Sequence, residues 1–368
     1  MSTPSAAPAN APDASVARDP LPRRAGRKLL GGPGRVTGVD LARGLAVLGM
    51  FAAHVGVTSG DLGTPDGWLA LAQGRSSILF AMVAGVALAL VTGARVPLEG
   101  ESLRAARGRI LIRAVLLLVL VALLDLLGAR VALILGYYAA YFVIALPLLR
   151  LSPGRLAGLA VGTALVGPFL VYYGPEVIMR AGLRMPSVGA GAVTDFLLTG
   201  YFPALVWMAY VFAGIAVGRS ELRSPMLALW LVLGGFGVAA VTSLASQALV
   251  GATGGADAVR AAIRSASATA DPTLGWTDAW PPLAGLALEG PHDDTVFEAI
   301  GSGGFALGVL GLCLLIGRVV EARFAGTAAR VLQGIARVLT LPLAAVGAMA
   351  LTLYSAQVAV IAWWNRTG

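Results

Sequence analysis

Cysteine and histidine are almost missing from this chain: Cys313 is its one cysteine, and His54 and His292 are its two histidines. A lone cysteine in an apolar run excludes a disulfide framework and a cysteine-built metal site, and fits a core residue. Charge is scarce too, at 12% Asp, Glu, Lys and Arg against about 25% in soluble globular proteins. With 57% hydrophobic residues and a mean hydropathy of +0.81, the 368 residues predict a polytopic membrane protein. The formal charge of +8 would suit nucleic acid if the arginines were gathered on one face. They are spread through short loops instead, so no nucleic-acid partner is expected and membrane lipids are. The first twenty residues offer no apolar stretch of a signal peptide. No repeat with a period of about 20–50 residues is evident.

Among what is present, 48 glycines and many alanines suit close packing of membrane helices. Residues 1–36, rich in Ala, Pro and Ser and then in Arg23, Arg24, Arg27, Lys28 and Arg35, predict a disordered basic cytoplasmic tail. Residues 37–368 predict one all-α transmembrane helix bundle. About nine runs (range 9–11) are apolar enough to span, near 38–58, 69–92, 109–128, 130–150, 155–173, 196–218, 225–250, 299–317 and 339–364. Arginines cluster in alternate connections: Arg95, Arg104, Arg107 and Arg109, then Arg150 and Arg155, Arg219 and Arg223, and Arg318, Arg323, Arg330 and Arg337. The other connections are poor in arginine or acidic, as at Asp61 and Asp66. The positive-inside rule then puts the N-terminus in the cytoplasm and, after nine spans, the C-terminus outside the plasma membrane. Trp363 and Trp364 would anchor the last span there. Residues 327–338 read as an amphipathic helix on the cytoplasmic surface. Segment 251–298, with seven acidic residues against Arg260 and Arg264, reads as a long extracytoplasmic excursion.

Inside the first apolar run lie Arg43 and His54. Eleven residues make about three full turns, so the two share a face about 16 Å apart along the axis, with Asp40 and Met50 on the same stripe. An ionisable group in a span is disfavoured by roughly 2.5–3.5 kcal/mol and marks a candidate functional site. The plain alternatives are an Asp40–Arg43 ion pair near the interface and a His54 ring bonded to a backbone carbonyl. At the outer level Arg75 follows Gln73-Gly74. Asp125 and Arg130 read as a structural pair, and Tyr137, Tyr138 and Tyr141 open the fourth run, the first two as candidates for an aromatic belt. Glu298 opens the eighth run amid glycines that let a neighbour approach. Thr352, Tyr354, Ser355 and Gln357 give the last run a polar side. His292, Asp293 and Asp294 are consecutive and cannot all face one ion, so no metal site is expected and a solvated loop is the reading.

The stretch from Arg35-Val-Thr-Gly-Val-Asp40-Leu-Ala-Arg43 to His54 resembles the opening helix of bacterial DUF418 and heparan-alpha-glucosaminide N-acetyltransferase catalytic-domain-like proteins. Its arginine, ten residues and histidine are similar to the motif of the wider transmembrane acyltransferase superfamily. Gly74–Phe80, Gly301–Leu314 and Gly347–Gln357 extend the resemblance over most of the chain from residue 35. In the eukaryotic members the catalytic histidine follows the first helix, and here it stands within the run. The resemblance implies an enzyme moving an acyl group, acetyl first of all, from cytoplasmic acetyl-CoA or another acyl-CoA to an extracytoplasmic glycan or glycolipid. It implies His54 as general base or acyl carrier and Glu298 as its catalytic partner. Asp40, Arg43 and Arg75 would then serve the donor, and Tyr138, Tyr354 and Gln357 the acceptor, in a chain that can form a homodimer. The rival readings are a transporter or flippase, whose usual paired interruptions are missing since Pro147, Pro203 and Pro342 occur singly, and a scaffold or receptor, which leaves Arg43 and His54 unexplained.

Overall fold

The computed structural model describes residues 35–56, 63–129, 131–183, 191–268, 280–322 and 326–367. The expected basic tail up to residue 34, Asp61, Arg130 with its expected pairing to Asp125, and Arg323 lie outside the described residues. Among the described residues there are helices and no strand: α1 Thr37–Val55, α2 Pro65–Ala70, α3 Arg75–Val91, α4 Gly100–Asp125, α5 Ile134–Ala145, α6 Pro153–Arg180, α7 Ala204–Gly218, α8 Pro225–Ala252, α9 Ala256–Ala268, α10 Val296–Glu321, α11 Thr327–Ala348 and α12 Ala350–Thr367. Starts are set by short polar residues followed by proline. Ser152 caps α6 through the N–H of Arg155, Ser224 caps α8 through that of Leu227, and Pro153 and Pro225 take first-turn positions where no N–H is needed.

This is a multi-pass membrane protein. Helices α1, α6, α8, α10 and α11 are each long and apolar enough to cross a bilayer, and Ala192–Thr199 with α7, bent by 66°, makes a sixth if counted as one span. Helix α3 is apolar but covers only 17 residues, because the run from 69 breaks at Gly74, whose φ is +66°. At 1.5 Å per residue that is about 26 Å, short of a hydrocarbon core of about 30 Å. Helix α5 stops before Pro147 and continues as the 3-10 turn Leu146–Leu148. Helix α4 carries Arg104, Arg107, Arg109 and Arg113 between its start and its midpoint turn. The last run is divided at Met349. Residues 327–338 are the first half of α11, which runs unbroken to Ala348, so the helix expected there is ten residues longer than its charged part.

Helix α10 is central, with 61% of its spanning window buried, and α8 is peripheral, with 11%. The principal packings are α3 and α6 on α7, α8 on α10, and α11, α10 and α3 on α1. Helices α1 and α11 meet backbone to backbone: a Cβ on Gly347 would lie 1.8 Å from the Asp40 carbonyl oxygen, and one on Gly44 2.1 Å from that of Leu343. One end of the bundle gathers the arginines. There Arg219, 3% exposed, donates to the carbonyls of Ala89, Thr92, Ala94 and Leu149 and to the Thr92 hydroxyl, joining the ends of α3, α5 and α7. At the opposite end α9 packs Val259 and Ile263 on Val250, Ala287 and Leu288. Most of segment 251–298 is therefore folded onto the bundle; residues 269–279 lie outside the described residues.

Candidate functional site

The end away from the arginines holds a cavity of about 380 Å³. Its walls come from elements far apart in sequence: Met50 and His54 of α1, Gln73, Gly74 and Ser77 around the start of α3, Tyr201 and Phe202, Pro291 and His292, and Tyr354 of α12. Two of these stretches are irregular backbone. Residues 200–203 interrupt the bent helix pair just after a single π turn, Asp195–Thr199. Irregular backbone at membrane depth is tolerated where it lines a cavity or is buried in protein, and π turns recur at functional sites.

His54 sits in the last turn of α1 with its ring exposed toward the cavity. Nδ1 is 2.6 Å from the Met50 carbonyl oxygen. That contact is a hydrogen bond only when Nδ1 carries the proton, which leaves Nε2 as the basic nitrogen. The carbonyl bond of the plain reading is therefore present, and it fixes the tautomer of a ring that is still accessible. Gln357 comes within 3.4 Å of the same Nδ1. Its carbonyl oxygen has no partner, and turning the amide over would give the Nδ1 proton a second acceptor.

His292 lies on another wall, and the solvated-loop reading of residues 292–294 is corrected by its surroundings. Its ring stacks on Trp207 at 5.9 Å and 11° and meets Phe202 edge-on at 5.4 Å, while its buried Nδ1 has no partner. The loop is held from several sides. Glu298, 3% exposed, accepts the backbone N–H of His292 and of Asp294, each at 2.7 Å. The Trp207 indole N–H donates to Asp294 Oδ1 at 3.0 Å. Arg260 of α9 grips Asp293 with two bonds of 3.1 and 3.0 Å, and the Thr295 hydroxyl donates to the Leu288 carbonyl. His292 and Asp294 have φ of +60° and +50°, left-handed values that cost side-chain-bearing residues roughly 1–2 kcal/mol and that cluster where a scaffold enforces function. Glu298 therefore stands behind the His292 loop, bonded to backbone, and is not brought onto His54.

Burial lifts the Asp294 carboxyl from the ordinary 3.8 to about 7, although the Trp207 N–H works against it. Burial also holds the His292 imidazole below the ordinary 6.5, opposed by a bond to the backbone of Tyr201. Both groups thus favour their neutral forms. The raised Asp294 value means stability fully present below about pH 3.8 and lost as pH rises through about 7; the lowered His292 value means stability present above about 6.5 and lost as pH falls below it. Asp294→Asn stays neutral and still accepts the indole N–H. Its melting temperature in detergent should exceed that of the native protein at about pH 8 and match it at about pH 4; an equal difference at both would contradict this origin.

The other residues singled out by the sequence divide in two groups. Tyr354 lines the cavity, and Gln357 touches His54. Tyr138, 2% exposed, lies beneath the wall with its hydroxyl 3.4 Å from the Ser77 carbonyl, tilted on Phe80, so it is not a belt residue. Asp40 and Arg43 are at the arginine-rich end: Arg35 and Arg43 both bond Asp40, at 2.8 and 3.2 Å, and Arg43 also reaches the Gly347 carbonyl. Arg75 turns away from both sites, its guanidinium 5.2 Å over the Phe305 ring in a separate hollow beside Leu45 and Gly49. His292, Trp207 and Tyr201 were missed. Signals existed in Gly200-Tyr-Phe-Pro203, a break inside an apolar run, and in Thr295-x-x-Glu298, a capping-box spacing in which Thr295 caps the N–H of Glu298 while the Glu298 carboxylate turns to the N–H groups of His292 and Asp294.

The architecture and this cavity define a multi-pass helical membrane protein with a two-histidine site. The model of the family described as heparan-alpha-glucosaminide N-acetyltransferase, catalytic, matches residues 35–245, more than half of the sequence, and the chain belongs to that family. It is thereby a transmembrane acetyltransferase in general kind. The match takes in His54, the break at 200–203 and Trp207, and stops before His292. No curated protein and no solved structure matches the chain significantly.

Proposed function

We propose that this protein moves an acyl group, acetyl first of all, from acyl-CoA on the arginine-rich side to a hydroxyl or amine of a sugar or glycan at the His54 cavity. In this reading the arginine-rich end is cytoplasmic, the apolar runs make nine crossings of the plasma membrane, and the C-terminus is outside. The observation that carries it is the meeting of His54 and His292 on one cavity in a chain of this family. Nε2 of His54, left basic by the Nδ1–Met50 bond, takes the proton of the acceptor O–H or N–H as the oxygen or nitrogen attacks the thioester carbonyl. The C–O or C–N bond forms, the C–S bond breaks, and the imidazolium returns the proton to the departing thiolate. Tyr354 and Gln357 bound the acceptor, and Tyr138 supports that wall from below. Glu298 is a positioning residue, holding His292 through the loop backbone. Asp40 and Arg43 belong to the donor side by location. Arg75, packed over Phe305, takes no part in it.

The test is direct. Detergent-purified protein given radiolabelled acetyl-CoA and glucosamine should label the sugar or slowly hydrolyse the thioester; a thioester left intact with every sugar offered would contradict the proposal. The broken helix at 200–203 also suits a transporter, since half-helices frame sites in such folds. That reading predicts substrate crossing the membrane with no acyl group transferred.

A further inference from the structure

A second and larger hollow, about 530 Å³, lies between α6 and α8 and is floored by α7 and α10. Its wall is made of small and apolar side chains, among them Ala160, Ala164, Ala213, Gly303 and Leu307, and it reaches inward to Met82, 1% exposed. It opens sideways. Val161 and Trp230 at its lips are 59% and 67% exposed and belong to the outward faces of spanning helices. In a bilayer those faces are covered by hydrocarbon, and the hollow is continuous with them. Water does not fill an apolar cavity that offers it no polar partners, so hydrocarbon is what the surroundings supply.

The glycines separate two reasons for small residues here. A Cβ on Gly235 would come within 2.4 Å of the Gly308 nitrogen, so the contact between α8 and α10 requires that glycine. Its neighbour Gly234 also lines the hollow, yet a Cβ there meets nothing within 4 Å. Packing does not explain Gly234. An unfilled helix-interior glycine costs roughly 0.5–1 kcal/mol against alanine in water, and what its small size achieves is an open hollow.

We infer that this hollow is a binding site for one hydrocarbon chain of a membrane lipid, held as a fixed part of the bundle. Its inner wall includes Tyr210, which packs edge-on against Trp207 at 5.3 Å, and Trp207 in turn carries the His292 ring. The seated chain thus braces the aromatic wall behind the His54 cavity. The inference does not depend on which group is transferred, and its test reads no transfer.

The full-length protein is placed in nanodiscs of phosphatidylethanolamine and phosphatidylglycerol containing a trace of phosphatidylethanolamine with a diazirine in one acyl chain. After illumination, labelled peptides are mapped by mass spectrometry. Residues 157–165 and 230–238 should carry several-fold more label than the lipid-facing residues 111–119 of α4. Gly234→Leu, which grows into open space, should bring that excess down to the α4 level without lowering the melting temperature. Ala164→Leu fills the same space from α6 and serves if the first variant folds poorly. Even labelling of all lipid-facing helices, or an excess that survives in a folded variant with the hollow filled, would overturn the inference.

Discussion

Replacing His54 with alanine is expected to lower acyl transfer by about 10²- to 10⁴-fold, the range that a positioned general acid–base group supplies, while leaving the melting temperature within a few degrees of the native value. The asymmetry follows from where the ring sits. His54 is exposed toward the cavity and its one close bond is to the Met50 carbonyl in its own helix, so its loss removes about 1 kcal/mol of hydrogen bonding at most and creates no void in the core. The chemistry has no such substitute. His292 should behave differently: its ring stacks on Trp207 and meets Phe202 edge-on, so His292→Ala should lower both activity and melting temperature. Initial rates with labelled acetyl-CoA and thermal melts of the same preparations separate the two patterns. A His54→Ala protein that keeps full activity would remove the general-base role.

The second large effect lies at the other end of the bundle. Arg219→Ala should destabilise the protein by at least about 3 kcal/mol, because hydrogen bonds to a charged donor contribute about 1.5–3 kcal/mol each and buried acceptors left empty add their own cost. Four carbonyls and a hydroxyl converge on that guanidinium from the ends of α3 and α5. The carbonyl ends of these helices carry partial negative charge, which suits a cation there. Arg219→Lys should recover part of the loss, since an ammonium offers three donors and cannot span the same fork. The lone cysteine provides the readout. Cys313 is 5% exposed, so a thiol-reactive dye reports unfolding without any engineered probe. Labelling on heating should begin many degrees lower in Arg219→Ala; an unchanged profile would show that the clamp is dispensable.

How much of this could be read beforehand depended on how local the determinant was. The Asp40–Arg43–His54 stripe is set by residues within three turns of each other and was read from the sequence, and the apolar runs near 155–173 and 225–250 began close to the helix starts that Ser152-Pro153 and Ser224-Pro225 set. Arg219 was legible only as a topology signal, because its partners lie about 70 to 130 residues away in the chain. The burial of His292 has the same character: hydrophilic Pro291-His-Asp-Asp looks solvated until Glu298, Trp207 and Arg260 close around it. Span counting fared unevenly for a further reason. Hydropathy sums residues regardless of backbone, so it ran through the left-handed Gly74, the bend before Pro203 and the break at Met349. It also divided residues 327–338 from the remainder of α11, where charge falls on one face of a continuous helix.

The central claim is that an acyl group passes from one side of the membrane to an acceptor at His54 on the other. Proteoliposomes with the protein in one orientation, loaded with acetyl-CoA labelled in the acetyl group and bathed in an amino sugar, test it most directly. The account predicts labelled sugar outside, unlabelled CoA retained inside, and neither change with His54→Ala. Intact acetyl-CoA crossing the bilayer while the sugar stays unlabelled, to the same extent in both proteins, would contradict it.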